Sequence, residues 1–289
     1  MIQPEMILDL ECDLGENPLW HPHEQRLYWT DITRGRLFRY DPATGSHEQF
    51  YQGEPVGGFT FQADGGLLLF MHRGRIAVWR DGQLKNVVDE IPGELDCRFN
   101  DVIADPAGRV FCGTMPLESH ARPGRLYRLD ADGSLQIMLD GIVTSNGMGF
   151  TLNRRGMYYT DSGPRRIYYF DYDEAHGTLA NQRTWLQVPE NEGVPDGMKV
   201  DAAGTVWSAR WDGSAVYHYN PQGAELERIP FPARKVTSVA FGGPGLTDLY
   251  ATTALSEGSR AQEGSGAGAL FRLRGAGRGV AEFYSRVKV

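Results

Sequence analysis

Residues 196–209 read DGMKVDAAGTVWSA: a short apolar strand opened by Asp196, an Asp/Gly-type turn, then a second strand carrying an aromatic. The phrase recurs. Close copies are NDVIADPAGRVFCG from Asn100 and NGMGFTLNRRGMYYT from Asn146, with looser ones from Glu16 (ENPLWHPHEQRLYWT), Gly57 (GGFTFQADGGLLLF) and Thr237 (TSVAFGGPGLTDLYAT). The second strands begin near Leu27, Leu67, Val110, Met157, Val206 and Leu249. Their spacing of roughly 40 to 50 residues is the period of a four-stranded propeller blade.

Each copy continues with a third strand of alternating apolar residues: GRLFRYD from Gly35, GRIAVWR from Gly74, GRLYRLD from Gly124, RRIYYFD from Arg165, SAVYHYN from Ser214 and GALFRLR from Gly268. Turn signals such as DPATG, DADG and NPQG follow, supplying the positive-φ positions of tight hairpins. A weaker fourth strand closes the unit, and no long amphipathic helix interrupts the period-two pattern. The expected fold is all-β: one six-bladed β-propeller domain spanning 1–289, four antiparallel strands per blade, with a central metal channel. The strand Met6–Cys12 is expected to complete the sixth blade. Two stretches break the pattern. Ser256–Gly268 (SEGSRAQEGSGAG) reads as a mobile loop, and Pro116–Gly124 (PLESHARPG) interrupts the third blade.

Composition narrows the function classes. The net charge of -8 over 289 residues argues against a nucleic-acid partner. No apolar run is long enough to span a membrane. The N-terminus lacks a basic segment before an apolar core, so no signal peptide is expected. Three cysteines, Cys12, Cys97 and Cys112, show no metal-binding spacing and suit a reducing, cytoplasmic setting.

The phase of the repeat carries the chemistry. Glu16, Gly57, Asn100, Asn146, Asp196 and Thr237 lead the innermost strands, and a propeller brings equal phases to one mouth of its channel. Two carboxylates and two carboxamides facing one another are costly unless paired or bound to a cation. An all-oxygen donor set suits Ca²⁺, Mg²⁺ or Mn²⁺ and counts against a structural zinc site. Second strands end where first strands begin. Asp31, Thr33, His72, Arg73, Glu118, His120, Ser162, Arg210 and Trp211 are therefore candidate wall residues, with Arg98 beside Asn100. Asp31, Asp101 and Asp161 read as structural partners of backbone donors, and His21 and His23 as solvated turn residues. Asn146-Gly147 also fits a hairpin turn.

The segments LGENPLW, CRFND, DPAGRVFCGTM, SNGMGF, YYTDS, PDGMKVDAAGTVW and FGG…LYATTA resemble the regucalcin/gluconolactonase/luciferin-regenerating-enzyme family, from Leu14 to at least Ala254. The resemblance implies a six-bladed propeller with one catalytic divalent metal that hydrolyses sugar lactones and, in some members, other esters or organophosphates. It implies metal ligands at Glu16, Asn146 and Asp196. Asn100 matches a residue near metal and substrate, and Arg98 and Glu118 match substrate-contacting positions. Val102 and Gly149 depart from the common pattern without removing a ligand. The expected cofactor is one divalent ion, Ca²⁺ first, with Mg²⁺, Mn²⁺, Zn²⁺ or Fe²⁺ as alternatives. The expected reaction is hydrolysis of an aldonolactone such as gluconolactone, with Asp196 as ligand and general base. The alternatives are a promiscuous esterase or phosphotriesterase, and a non-enzymatic calcium-binding regulator.

Overall fold

A computed structural model describes residues 2–118 and 122–288. Six four-stranded antiparallel sheets are arranged as blades. Their inner strands are Gly15–His21, Val56–Phe61, Cys97–Ala104, Ser145–Phe150, Val194–Val200 and Val236–Gly242. Each inner strand neighbours the next, and the sixth returns to the first, so the ring is closed. Closure gives every inner strand a partner on both faces. That is why these strands are buried nearly throughout, where a half-exposed strand would alternate. The outer strands alternate or face solvent, as Ser46–Gln52 and Glu225–Pro230 do. The core lies between blades. Trp207, Val239 and Phe271 fill one interface, Phe70, Phe99 and Tyr127 another, and Trp29, Phe38 and Tyr250 a third.

The sixth blade is completed from the other end of the chain. Strand Glu5–Asp9 pairs with Ala269–Leu273 as the outermost strand, three residues shorter at its C-terminal end than the expected Met6–Cys12. The expected loop at 256–268 is instead ordered. It contains a short helix, Arg260–Glu263, opened by a Ser259–Gln262 capping box. The buried Glu263 pairs with Lys235. Gly and Ser content described the turns of this segment but not the buried ion pair that anchors it.

Beyond the last strand the chain runs across the propeller at the end where inner and second strands are joined. The Arg278 carbonyl accepts from Ala202 N–H, while the backbone amides of Ser285, Arg286 and Lys288 donate to Phe61, Gly108 and Ala131. This strap joins blades 2, 3 and 5 without becoming a sheet strand. It therefore carries no period-two signature.

Candidate active and metal site

All six inner strands share a local irregularity. Pairing with the second strand slips between Glu16 and Leu19, Val56 and Gly58, Phe99 and Val102, Asn146 and Met148, Pro195 and Met198, and Val236 and Ser238. A bulge inserts an unpaired residue and re-aims side chains. The bulges fall at the phased positions, so Asn146-Gly147 lies within a strand and not in a hairpin turn. Glycines follow two of these polar residues because adjacent blades nearly touch there. A Cβ on Gly147 would lie 2.6 Å from the Asp196 carbonyl oxygen, and one on Gly197 would lie 2.1 Å from Ser238 Oγ.

Four phased side chains, Glu16, Asn100, Asn146 and Asp196, line one cavity of about 380 Å³ together with Arg98. The remaining two positions do other work. Gly57 has no room for a side chain, since its Cβ would sit 1.9 Å from the Phe99 carbonyl oxygen. Thr237 turns its hydroxyl to the Gly15 carbonyl at 2.5 Å, sealing the sixth blade to the first.

The cavity is strongly polarised. Burial, followed by the charge of Asp101, pushes the Glu16 carboxyl up to about 8, while the Asn17 amide and Arg98 pull it back. Burial, then Glu16 and Asp101, raises the Asp196 carboxyl well above the usual carboxylate range. Burial lowers the Arg98 guanidinium to about 10, against the pull of Glu16 and Asp196. These are the signs of two anions sharing too little charge compensation.

The residues present fit a hard cation. Asp196 Oδ1 is buried and accepts no hydrogen bond, a costly condition that a cation would relieve. Among the described residues no three His, Cys, Asp or Glu side chains gather around a point. The donors available here are thus two carboxylates and carboxamide oxygens, the chemistry of Ca²⁺ and Mg²⁺ sites. Asn100 Nδ2 donates to Asn146 Oδ1 at 3.1 Å, and Arg98 donates to Asn100 Oδ1 at 2.5 Å.

Among the expected wall residues, Ser162 and Trp211 line the cavity. Arg210 does not. It is fully buried on the other face of its strand, stacked over Tyr217 at 4.6 Å and donating to the Tyr219 hydroxyl. Asp31 accepts from Leu14 N–H and from Arg36, and Asp161 accepts from Thr144 N–H, both in the structural roles expected of them. Thr33 donates to Asp13, and His72 bridges to Arg98 from outside the cavity lining. Glu118 is exposed, three residues beyond the cavity-lining Met115, and is not among the lining residues. His120 lies outside the described residues. Leu14, Met115, Thr144, Gly163, Arg165 and Val194 complete the wall without having been singled out from sequence. Several of these sit at strand ends beside a phased residue, which is the signal that would have found them.

A larger groove of about 730 Å³ opens between blades 1 and 2, at the far end of the inner strands, lined by His21, Phe61, Trp79, Arg80 and Tyr284 among others. His21 is held there edge-on to Phe61 at 4.7 Å, and so is not a solvated turn residue. The groove has no pair of buried carboxylates, and the chemistry favours the smaller cavity.

Comparison with known proteins places this architecture. The chain is 48% identical over 292 residues to the pentonolactonase XacC of Haloferax volcanii, covering 98% of each chain. It is 37% identical to the 6-deoxy-6-sulfogluconolactonase of Pseudomonas putida, covering 83% of each. Among solved structures, a luciferin-regenerating enzyme superposes with a TM-score of 0.92 at 29% identity, over 99% of this chain and 100% of that one. Residues 14–255 match the SMP-30/Gluconolactonase/LRE-like region, and the chain belongs to that family.

Proposed function

We propose that this chain is a divalent-metal-dependent hydrolase that opens a sugar lactone to the sugar acid in the cytoplasm. The observation that carries the proposal is the unpartnered Asp196 Oδ1, buried in a cavity that Glu16, Asn100 and Asn146 also line. The identity to a pentonolactonase over nearly the whole chain supports a lactone as substrate.

Glu16, Asn146 and Asp196 would hold the ion. A divalent cation there supplies Lewis acidity toward a carbonyl oxygen and toward water. The protein supplies the rest. Asp196 takes a proton from the attacking water as general base, and the Gly197 amide beside it favours its charged form. Arg98 and Asn100 stand next to one another on the cavity wall. Asn100 Oδ1 keeps a lone pair for a ring hydroxyl, and the Arg98 guanidinium is placed to donate to charge developing on the carbonyl oxygen. Glu118, exposed and outside the cavity lining, would meet substrate only as an outer contact. The walls of Leu14, Met115, Val194 and Trp211 limit the water around the ring and leave space for a small polyhydroxylated molecule.

The test is activity of metal-stripped protein on five- and six-membered aldonolactones, followed with a pH indicator while divalent ions are added back one at a time. Activity lost on chelation and restored by Ca²⁺, Mg²⁺ or Mn²⁺ is expected. Undiminished turnover by Asp196→Ala would remove the site from the reaction. Preference for aryl phosphotriesters over lactones would move the assignment to the esterase alternative.

A further inference from the structure

We propose that Ser162 is a positioning residue that decides which arm of the Asn146 carboxamide faces the cation site. The inference rests on the metal reading above. It comes from counting donors and acceptors along one hydrogen-bonded chain.

Ser162 is buried just beyond the second strand of blade 4. Its hydroxyl lies 2.6 Å from the Pro195 carbonyl oxygen on blade 5 and 3.0 Å from Asn146 Nδ2. A carbonyl can only accept, and a serine has one hydroxyl hydrogen. That hydrogen goes to Pro195. Toward Asn146, Ser162 can then only accept, so the NH₂ arm of Asn146 must face it. Asn146 Oδ1 is thereby left on the opposite side, where it accepts from Asn100 Nδ2. The same Asn100 nitrogen donates to the Ser145 carbonyl at 2.7 Å, which leaves Asn100 Oδ1 for the Arg98 guanidinium. The chain therefore runs one way, from Arg98 through Asn100, Asn146 and Ser162 to Pro195. It begins at a group with no acceptor and ends at a group with no donor, so its direction cannot be reversed.

Two consequences follow from this direction. Positions 100 and 146 each need a donor on one arm and an acceptor on the other, which a carboxamide provides and a carboxylate does not. The Ser162–Pro195 bond also ties blade 4, which bears Asn146, to the strand bearing Asp196, since Pro195 immediately precedes Asp196. Groups that orient a metal ligand commonly change affinity by about 10- to 100-fold when lost.

The experiment compares wild type, Ser162→Ala and Ser162→Thr. Exchange of the Asn146 side-chain NH₂ protons is followed by ¹⁵N–¹H NMR in metal-free protein, and Ca²⁺ affinity by calorimetry. Ser162→Ala is expected to speed the NH₂ exchange and to weaken Ca²⁺ binding about 10- to 100-fold. Ser162→Thr, which keeps the hydroxyl, should restore both. Ser162→Ala with wild-type exchange and wild-type affinity would overturn the proposal. Ser162→Gly gives an independent check should Ser162→Ala not fold. It also removes the hydroxyl and should weaken Ca²⁺ binding about 10- to 100-fold, and wild-type affinity in it would overturn the proposal. A wild-type protein that binds no divalent ion would end the metal reading, while the metal-free NMR comparison would still judge Ser162.

Discussion

Asn17 Oδ1 accepts the Phe59 amide hydrogen at 2.7 Å, fastening the strand that carries Glu16 to the inner strand of blade 2. Asn17 itself has φ of +47°, and its own amide donates to Glu16 Oε2 at 2.9 Å. One left-handed residue thus aims a metal-site carboxylate and bridges two blades. Asn tolerates this conformation better than most residues. Asn17→Ala leaves the Phe59 amide without its partner and strains the backbone. A loss of about 2–3 kcal/mol is expected in chemical denaturation, with faster exchange of the Phe59 amide by NMR. Unchanged stability would show that the bridge contributes nothing.

Glu16 and Asp196 set stability against function. Their carboxyl groups are buried together, and the metal-free protein bears the cost. Asp196→Asn should make the chelated protein more stable, by about 1–3 kcal/mol, and lower kcat/KM by about 10³-fold or more. Wild type should gain stability from Ca²⁺ by about 2.7 kcal/mol at one hundred times its Kd, and Asp196→Asn should gain much less. Equal Ca²⁺ stabilisation of both proteins in thermal melts would place the ion elsewhere.

The ring was legible in the chain because six copies of one strand–turn–strand unit place equal residues at equal bulges. Repetition of phase therefore reports position around the axis, and Glu16, Asn100, Asn146 and Asp196 do share a cavity. Features resting on a single local contact left no such trace. Arg210 and Trp211 are adjacent, so their side chains leave opposite faces of the strand; only Trp211 reaches the cavity. The strap over residues 278–288 is held by main-chain bonds and by single side-chain contacts, such as Ser285 with Thr60 and Glu282 with Lys199, that follow no period. Asn17 was hidden because its role depends on φ and on a partner in another blade, neither of which a pattern of residue types records.

The pair Lys235–Glu263 pins the segment that looked like a free linker. Lys235 also lies 5.3 Å from the Trp211 ring, linking this segment to the cavity wall. Removing Glu263 leaves the buried Lys235 with the partly exposed Asp212 as its remaining partner at 3.4 Å. Glu263→Ala is expected to cost about 1–3 kcal/mol and to open residues 256–268 to limited proteolysis, which the wild-type chain should resist. Rapid cleavage there in wild type would contradict the anchored structure.

The three cysteines are all buried. Burial, then Asp31, pushes the Cys12 thiol up to about 12, and burial, then Glu94, does the same to Cys97. Burial alone raises Cys112 well above the usual thiol range. Thiolate is the reactive form. An aromatic disulfide reagent at pH 8 should therefore find almost no reactive thiol in the native protein and all three after guanidinium unfolding. A fast-reacting thiol in the folded protein would mark a local opening absent from this structure.

Gly57 is the one phased position where the ring cannot carry a donor, and packing explains why. A Cβ would meet the Phe99 carbonyl oxygen at 1.9 Å and the Phe99 carbonyl carbon at 2.5 Å. Both are main-chain atoms of the neighbouring inner strand, so no rotamer change can relieve the contact. The strand they belong to also carries Arg98 and Asn100. Gly57→Ala must push blades 2 and 3 apart, a disturbance of about 1–3 kcal/mol or more for an overpacked core. The shift would reach Asn100, loosening its bond to the Ser145 carbonyl. The expected outcome is a lower denaturation midpoint together with reduced lactone turnover. Gly58→Ala serves as the comparison, because its nearest obstacle, the Asn100 carbonyl oxygen, is 2.8 Å away and the next, the Val102 side chain, is 3.0 Å away and can move. It should be milder on both counts. A Gly57→Ala protein as stable and active as wild type would mean that the inner strands approach less closely than this packing requires.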